Sequence, residues 1–82
     1  MNNIEKYRNA LIQGLDLDQD AVLEELKLNV TKEWDSIGHM GLIAEIEDVF
    51  DVEIDYDIIT EFNSYQSGID LLERLGVDFN NA

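Results

Sequence analysis

The fold of this chain is decided by the stretch Glu33-Trp34-Asp35-Ser36-Ile37-Gly38-His39-Met40 and by the apolar run that follows it to Phe50. Asp35 stands where an irregular stretch gives way to a helical pattern, and its carboxylate can accept from the free N–H groups of a first helical turn. Ser36 is therefore predicted to begin a helix, at the positive end of the helix dipole. Because a phosphate group is held well at such a position, we place the candidate functional site at Ser36.

The predicted helix, from about Ser36 to Asp51, has two apolar faces. At about 100° per residue, one arc carries the side chains assigned to the core: Leu42, Ile43, Ile46, Val49 and Phe50. A second arc carries Ile37, Met40 and Ala44, edged by Glu47, Asp48 and Asp51. An apolar ridge with an acidic rim is typical of a docking surface. Burial of the ridge against the rest of the chain is the alternative.

The whole chain, residues 1–82, predicts a single small all-α domain with three principal helices and one or two short ones. Apolar residues recur at helical spacing from Ile4 to Leu15 and again from Tyr65 to Leu75. Ser64 is the expected N-cap of the last helix, and Gly76 is its expected terminator. The architecture is therefore a small helical bundle.

The segments between the principal helices are predicted to contain short helices. A long connection, Asp16–Trp34, joins the first two helices and includes one helical turn, Ala21–Leu26, capped by Asp20. Another short helix is expected from Asp57 to Phe62. The tail, from about residue 77 to 82, is expected to be frayed.

The charge balance narrows the class of partner. Nineteen acidic residues oppose five basic ones, so the formal net charge is −14. Nucleic acid and anionic membrane surfaces attract Lys and Arg, so neither is an expected partner. Proteins with basic surfaces are expected instead, because opposite charge steers association.

Composition also bounds the location and assembly. The chain has no cysteine, which excludes disulfides, thiol catalysis and thiolate metal sites. No apolar run reaches the length of a membrane span, and no signal-peptide pattern precedes the first helix. We therefore expect a cytoplasmic protein without membrane insertion. We also expect the protein to be a monomer.

Two further patterns do not support chemistry by the chain itself. Asp16–Asp20 begins like a calcium loop, but Ala21 and Lys27 stand where that loop needs glycine and glutamate. No metal site is therefore expected. His39 lies three residues after Ser36, yet it falls on the core arc of the helix, so the two are not expected to act as base and nucleophile. The chain is thus expected not to be an enzyme.

The sequence resembles the acyl carrier proteins. The resemblance starts at the motif Asp35-Ser36-Ile37 and continues through Met40, Leu42, Ile43, Ile46, the acidic residues and Phe50. It covers nearly the whole chain, because the helices and the long connection come in the family's order and spacing. An Asp-Ser-Ile motif alone is a weak signal, but the acidic amphipathic helix behind it makes the match strong.

The resemblance implies that a phosphopantetheinyl transferase attaches 4′-phosphopantetheine from coenzyme A to Ser36, within a motif that includes Asp35. The arm would carry an acyl group as a thioester to the enzymes that load and transfer it. Their basic docking surfaces would meet acidic and apolar side chains of this chain: Glu47, Asp48, Asp51, Asp55, Ile37, Met40 and Ala44. Because the family shelters acyl chains between its helices, the resemblance also implies an acyl pocket of Leu42, Ile46, Phe62 and Ile69.

Two glycines depart from the pattern of carriers in fatty-acid synthesis. Gly41 stands where those carriers usually have glutamate, and Gly38 is close to it. The wording of Trp34–His39 is more similar to discrete carriers of specialised-metabolite or surface-polysaccharide pathways, although fatty acid or polyketide biosynthesis is the broader class implied. Two alternatives stay open. One is an aminoacyl, D-alanyl or peptidyl carrier, and the other is an unmodified acidic interaction module in which Ser36 serves only as a helix cap.

Overall fold

The computed structural model describes residues 2–79, and within them the protein is all-α. The three principal helices are α1 (Asn3–Leu15), α2 (Ser36–Phe50) and α4 (Tyr65–Arg74). A four-residue helix, α3 (Tyr56–Ile59), precedes α4, and a 3₁₀ turn (Leu23–Glu25) lies in the long connection. This confirms the predicted class, with three principal and two short helical elements.

Two of the three predicted side-chain caps are present, those of Asp35 and Ser64. Asp35 Oδ1 accepts a hydrogen bond from the backbone N–H of Gly38 at 2.8 Å and so starts α2. Ser64 accepts from the Ser67 N–H, while the Ser67 hydroxyl accepts from the Ser64 N–H, which together form a capping box at α4. At the other end, α4 stops one residue before the predicted end, and Gly76 follows it with φ of 100°.

The turn in the long connection is shorter than predicted. The expected turn at Ala21–Leu26 is reduced to three residues, and Asp20 does not cap it, because its N-cap is Val22 without a side-chain hydrogen bond. Both Leu23 and Leu26 are buried in the core. Since side chains three residues apart eclipse each other in a 3₁₀ helix, this tighter turn places both leucines inward.

The helix α3 is also shorter than the predicted Asp57–Phe62. It starts one residue earlier, at Tyr56, and ends at Ile59. Beyond it the N–H groups of Glu61 and Phe62 donate to carbonyls three residues back. The chain thus tightens into turns, which carry Phe62 into the core.

The expected fraying of the tail is wrong for the residues that the structure describes. Phe79 is only 9% exposed. Its ring centroid lies 5.7 Å from that of Tyr7 and 6.1 Å from that of Phe50. The Val77 N–H donates to the Leu72 carbonyl at 3.0 Å. Aromatic contacts therefore hold this segment against α1 and α2, and residues 80–82 lie outside the described part of the chain.

A single hydrophobic core joins the elements. Its largest fully buried side chains are Trp34, Tyr7, Phe62, Leu11, Leu23, Leu42, Ile46, Leu71 and Leu72. The Tyr7 hydroxyl donates to the Tyr65 carbonyl at 2.7 Å, which satisfies the polar atom that this packing buries. Burial raises the pKa of Tyr7 above its ordinary value, so the hydroxyl remains a donor. Among residues 2–79, no helix is both long enough and apolar enough to cross a membrane.

Candidate functional site

Ser36 lies exposed at the first position of α2. The backbone around it is fixed, because Asp35 caps the helix through the Gly38 N–H and the His39 N–H donates to the Asp35 carbonyl at 2.8 Å. The Ser36 hydroxyl itself makes no hydrogen bond to any residue in the described range. The site thus presents an unengaged hydroxyl on a fixed support.

The structure gives a physical reason for the glycine at position 38. A Cβ atom at this position would overlap the carbonyl oxygen of Glu33. The absence of a side chain therefore lets the end of the long connection lie directly against the first turn of α2. The intrinsic helix penalty of glycine, up to about 1 kcal/mol relative to alanine, is offset here by that packing.

A chain of two hydrogen bonds runs beneath Ser36, on the buried side of the helix start. Trp34 Nε1 donates to His39 Nδ1 at 2.9 Å, and His39 Nε2 lies 2.8 Å from the carbonyl oxygen of Ile59. Because an indole N–H is only a donor, Nδ1 must be the acceptor and Nε2 must carry the proton donated to Ile59. His39 thus joins Trp34, two residues before Ser36, to the end of α3.

This arrangement confirms the prediction that His39 packs in the core with its ring nitrogens satisfied locally. Its side chain is buried, and both ring nitrogens are used by Trp34 and Ile59. Leaving one such buried atom without a partner costs about 1–3 kcal/mol. Ser36 therefore has no neighbouring base in His39.

An open cleft of about 360 Å³ lies beside Ser36. It is lined by Leu28, Asn29, Ser36, His39, Met40, Tyr56, Ile59 and Thr60. Its walls come from the long connection, α2 and α3, so only the fold brings them together. Sequence reasoning named Met40 but missed Leu28, Asn29, Tyr56, Ile59 and Thr60. Tyr56 could have been found from the sequence, because it follows Asp55 and does not belong to the apolar residues predicted to face the core.

The predicted ridge on α2 is exposed. Ile37 is 85% exposed and Met40 is 62% exposed, and Ala44 also lies at the surface. Tyr56, at the rim of the cleft, is 88% exposed. The alternative that the ridge is buried in this chain is therefore wrong. Docking of a partner on this ridge stays a prediction.

The acidic residues predicted to rim the ridge do not all have the same role. Asp48, Asp51 and Asp55 are exposed. Glu47 is half-buried, and its Oε2 accepts a hydrogen bond from the Ile54 N–H at 2.9 Å. Glu47 therefore stabilises the turn that follows α2, which leaves three carboxylates fully available to a partner.

The ion pairs of residues 2–79 do not involve this acidic rim. The ion pairs of the described residues join Arg8 to Glu24 at 2.7 Å and Arg74 to Glu61 at 2.9 Å. Neither pair involves Asp48, Asp51 or Asp55. The three exposed carboxylates of the rim are thus not engaged in either of these ion pairs.

The four residues of the predicted acyl pocket lie in or against the core, and the pocket itself stays a prediction. Leu42, Ile46 and Phe62 are wholly buried, and Ile69 is partly buried against the same core. These four side chains fill the interior, whereas the cleft beside Ser36 is lined by other residues. Trp34 and His39 occupy the same part of the core, where their rings lie close to that of Phe62.

The chemistry available at the site is limited. Residues 2–79 offer an exposed hydroxyl, an apolar cleft and an acidic helix face. No group of three or more His, Asp or Glu side chains in that range could hold a metal ion. Comparison with known proteins gives no relative, since neither a family model, nor a curated protein, nor a solved structure matches the chain.

Proposed function

We propose that this chain is a non-catalytic carrier protein. It receives 4′-phosphopantetheine on Ser36 and presents an acyl group, held as a thioester, to partner enzymes. The observation that carries the proposal is the unengaged Ser36 hydroxyl on the first residue of a fixed helix, beside an apolar cleft. Such a hydroxyl, without a base of its own, suits modification by a separate enzyme better than catalysis.

The residues around Ser36 fit the proposed group. Its phosphate would lie at the start of α2, where the N–H groups of Ser36 and Ile37 have no acceptor among the described residues. These donors and the helix dipole favour an anion. Met40 and Ile59 give the cleft apolar walls, and Thr60 adds a polar one. Both the phosphate and the amide-containing arm thus find suitable partners.

The proposed attachment step needs no catalytic residue from this chain. Ser36 Oγ forms a bond to phosphorus, while the pyrophosphate P–O bond of coenzyme A breaks and adenosine 3′,5′-bisphosphate leaves. The serine proton passes to the transferase. When bound, the group supplies a terminal thiol that carries the cargo as a thioester. This chain contributes the fixed attachment point, and tethering raises the effective concentration of cargo near a docked enzyme.

The exposed face of α2 supports the proposed partners, which are a phosphopantetheinyl transferase and the enzymes that load and transfer the acyl group. Ile37 and Met40 offer apolar contact next to Ser36. Asp48, Asp51 and Asp55 offer charge to a basic docking surface. Charge complementarity of this kind chiefly raises association rates.

The proposal is tested by intact-mass measurement after incubation with coenzyme A, Mg²⁺ and a broad-specificity phosphopantetheinyl transferase. We expect a gain of one phosphopantetheinyl group in the wild type and no gain in Ser36→Ala. Circular dichroism of the variant checks that it is folded. An unchanged mass of folded wild type with several transferases would reject the carrier function and favour the unmodified interaction module.

The identity of the loading enzyme separates the carrier classes. The modified protein is offered to acyl-transferring enzymes and, in parallel, to amino-acid-adenylating enzymes. Thioester formation only with an amino acid would assign the chain to the aminoacyl, D-alanyl or peptidyl carriers. Loading with an acyl group supports the proposed acyl carrier.

A further inference from the structure

We infer that a buried aromatic plug closes the interior of this protein to the cargo, so that an acyl group carried on Ser36 stays in the open cleft outside the core. The plug consists of Trp34, His39 and Phe62. The inference rests on the proposed carrier function, and it names the cargo class as a short acyl group that does not need shelter between the helices.

The three rings of the plug contact one another. Their centroids lie 6.1 Å apart for Trp34 and His39, 5.9 Å for Trp34 and Phe62, and 6.3 Å for His39 and Phe62. Trp34 and Phe62 are wholly buried, and His39 is nearly so. His39 also lines the cleft beside Ser36, while Trp34 and Phe62 belong to the same core cluster as Leu42 and Ile46.

Hydrogen bonds lock the plug in place. The Trp34 indole donates to His39 Nδ1, and His39 Nε2 donates to the Ile59 carbonyl at the end of α3. An acyl chain that entered between α2 and α3 would have to separate His39 from Ile59 or from Trp34. It would then leave buried polar atoms without partners, which an alkyl chain cannot replace.

The Phe62 ring of the plug cannot move easily toward α4. A Cβ atom at Gly68 of α4 would lie 2.6 Å from Phe62 Cζ and would also overlap the Tyr7 hydroxyl. The backbone of α4 therefore contacts the Phe62 ring directly. Since protein interiors are close-packed, moving Phe62 to admit a chain would require α4 to move as well.

The cleft outside the plug offers a place for a cargo beside Ser36. Leu28, Met40 and Ile59 form its apolar walls, and Asn29 and Thr60 add hydrogen-bonding groups. A short acyl group can lie against these walls. The terminal part of a long alkyl chain would extend into solvent, because the plug blocks the way inward.

The test compares acetyl and octanoyl forms, which a broad-specificity transferase prepares from the two acyl-coenzyme A thioesters. Melting is followed by circular dichroism, and the indole N–H resonance of Trp34 reports on the plug, because the chain contains one tryptophan. We expect both forms to melt within about 1 °C of each other, with the same indole resonance. A higher melting temperature of the octanoyl form, with a shifted resonance, would overturn the inference.

Variants of the plug test whether its removal opens the interior to the octanoyl chain. His39→Ala removes the middle of the plug, and Phe62→Leu is the milder change if His39→Ala does not fold. In the folded variant, the octanoyl form should melt above the acetyl form, whereas Tyr56→Leu in the outer cleft should keep the two equal. Equal melting of both forms in the plug variant would contradict the role given to the plug.

Failure of the carrier function would be visible separately, as an unchanged mass before any melting experiment. The plug is then tested on the unmodified protein with free octanamide. An unchanged Trp34 indole resonance in wild type, with a shift in His39→Ala or Phe62→Leu, supports a closed interior. A shift in wild type overturns it.

Discussion

The two sides of the α2 start differ sharply although they lie within a few residues of one another. On one side Ser36, Ile37 and Met40 are exposed, and on the other Trp34 and His39 are buried and hydrogen-bonded. The exposed side leaves a hydroxyl and an apolar surface open to solvent. The buried side fixes the backbone that presents them. We therefore expect that the exposed side chains can be changed with little effect on stability, and that changes to the buried ones lower it.

The largest expected effect comes from removing a buried ring. Phe62→Ala should lower the free energy of unfolding by about 3–5 kcal/mol, because it deletes a wholly buried side chain and leaves a cavity. Tyr56→Ala, at an aromatic residue that is 88% exposed, should change it by less than about 0.5 kcal/mol. Urea denaturation measures both. Similar losses in the two variants would break the contrast between the sides.

A smaller effect is expected from the indole hydrogen bond. Trp34→Phe keeps a ring in the core but leaves His39 Nδ1 without its donor. The unfolding free energy should fall by about 1–3 kcal/mol, whereas Ile37→Ala on the exposed side should stay within about 0.5 kcal/mol of wild type. Denaturant titrations of the pair provide the comparison. A stability of Trp34→Phe equal to that of wild type would argue against the assigned His39 tautomer.

The two glycines of α2 are expected to respond with opposite signs. Gly41→Ala should stabilise the protein by up to about 1 kcal/mol, since its Cβ atom would meet only ordinary contact distances, 3.4 Å from the Gly14 carbonyl oxygen. Gly38→Ala should destabilise it, because its Cβ atom would overlap the Glu33 carbonyl. Thermal melting of both variants gives the signs. Stabilisation by Gly38→Ala would mean that the connection does not pack tightly on the helix start.

The smallest expected effect concerns the acidic rim. Asp48→Lys should slow phosphopantetheinylation at low salt by up to about threefold, because a like charge then faces the basic partner. Glu73→Lys, an exposed residue of α4, makes the same change in net charge away from the rim. Initial rates of modification at low and high salt distinguish a local effect from general steering. Equal rates for both variants would remove the docking role from α2.

Much of the fold was predictable because its signals are local. The starts of α2 and α4 follow from Asp35 and Ser64, whose caps act within three residues. The exposed ridge followed from helical spacing, as the exposures of Ile37 and Met40 bear out. Features that depend only on residues within one helical turn could therefore be predicted from the sequence.

The remainder depends on contacts between distant segments. The partner of His39 Nε2 is the Ile59 carbonyl, 20 residues away, and no periodicity specifies it. Glu47 was assigned to the rim from its place on the helix, yet its carboxylate binds the Ile54 N–H. Phe79 was assigned to a frayed tail because its contact with Tyr7 could not be read from neighbouring residues.

The most direct test of the account is to locate the added mass after transferase treatment. The modified protein is digested, and the peptide containing Ser36 is fragmented by tandem mass spectrometry, with the Ser36→Ala protein treated in parallel. The account predicts one phosphopantetheinyl group on Ser36 and none on the other serines, Ser64 and Ser67. Modification elsewhere, or none on folded wild-type protein, would contradict it.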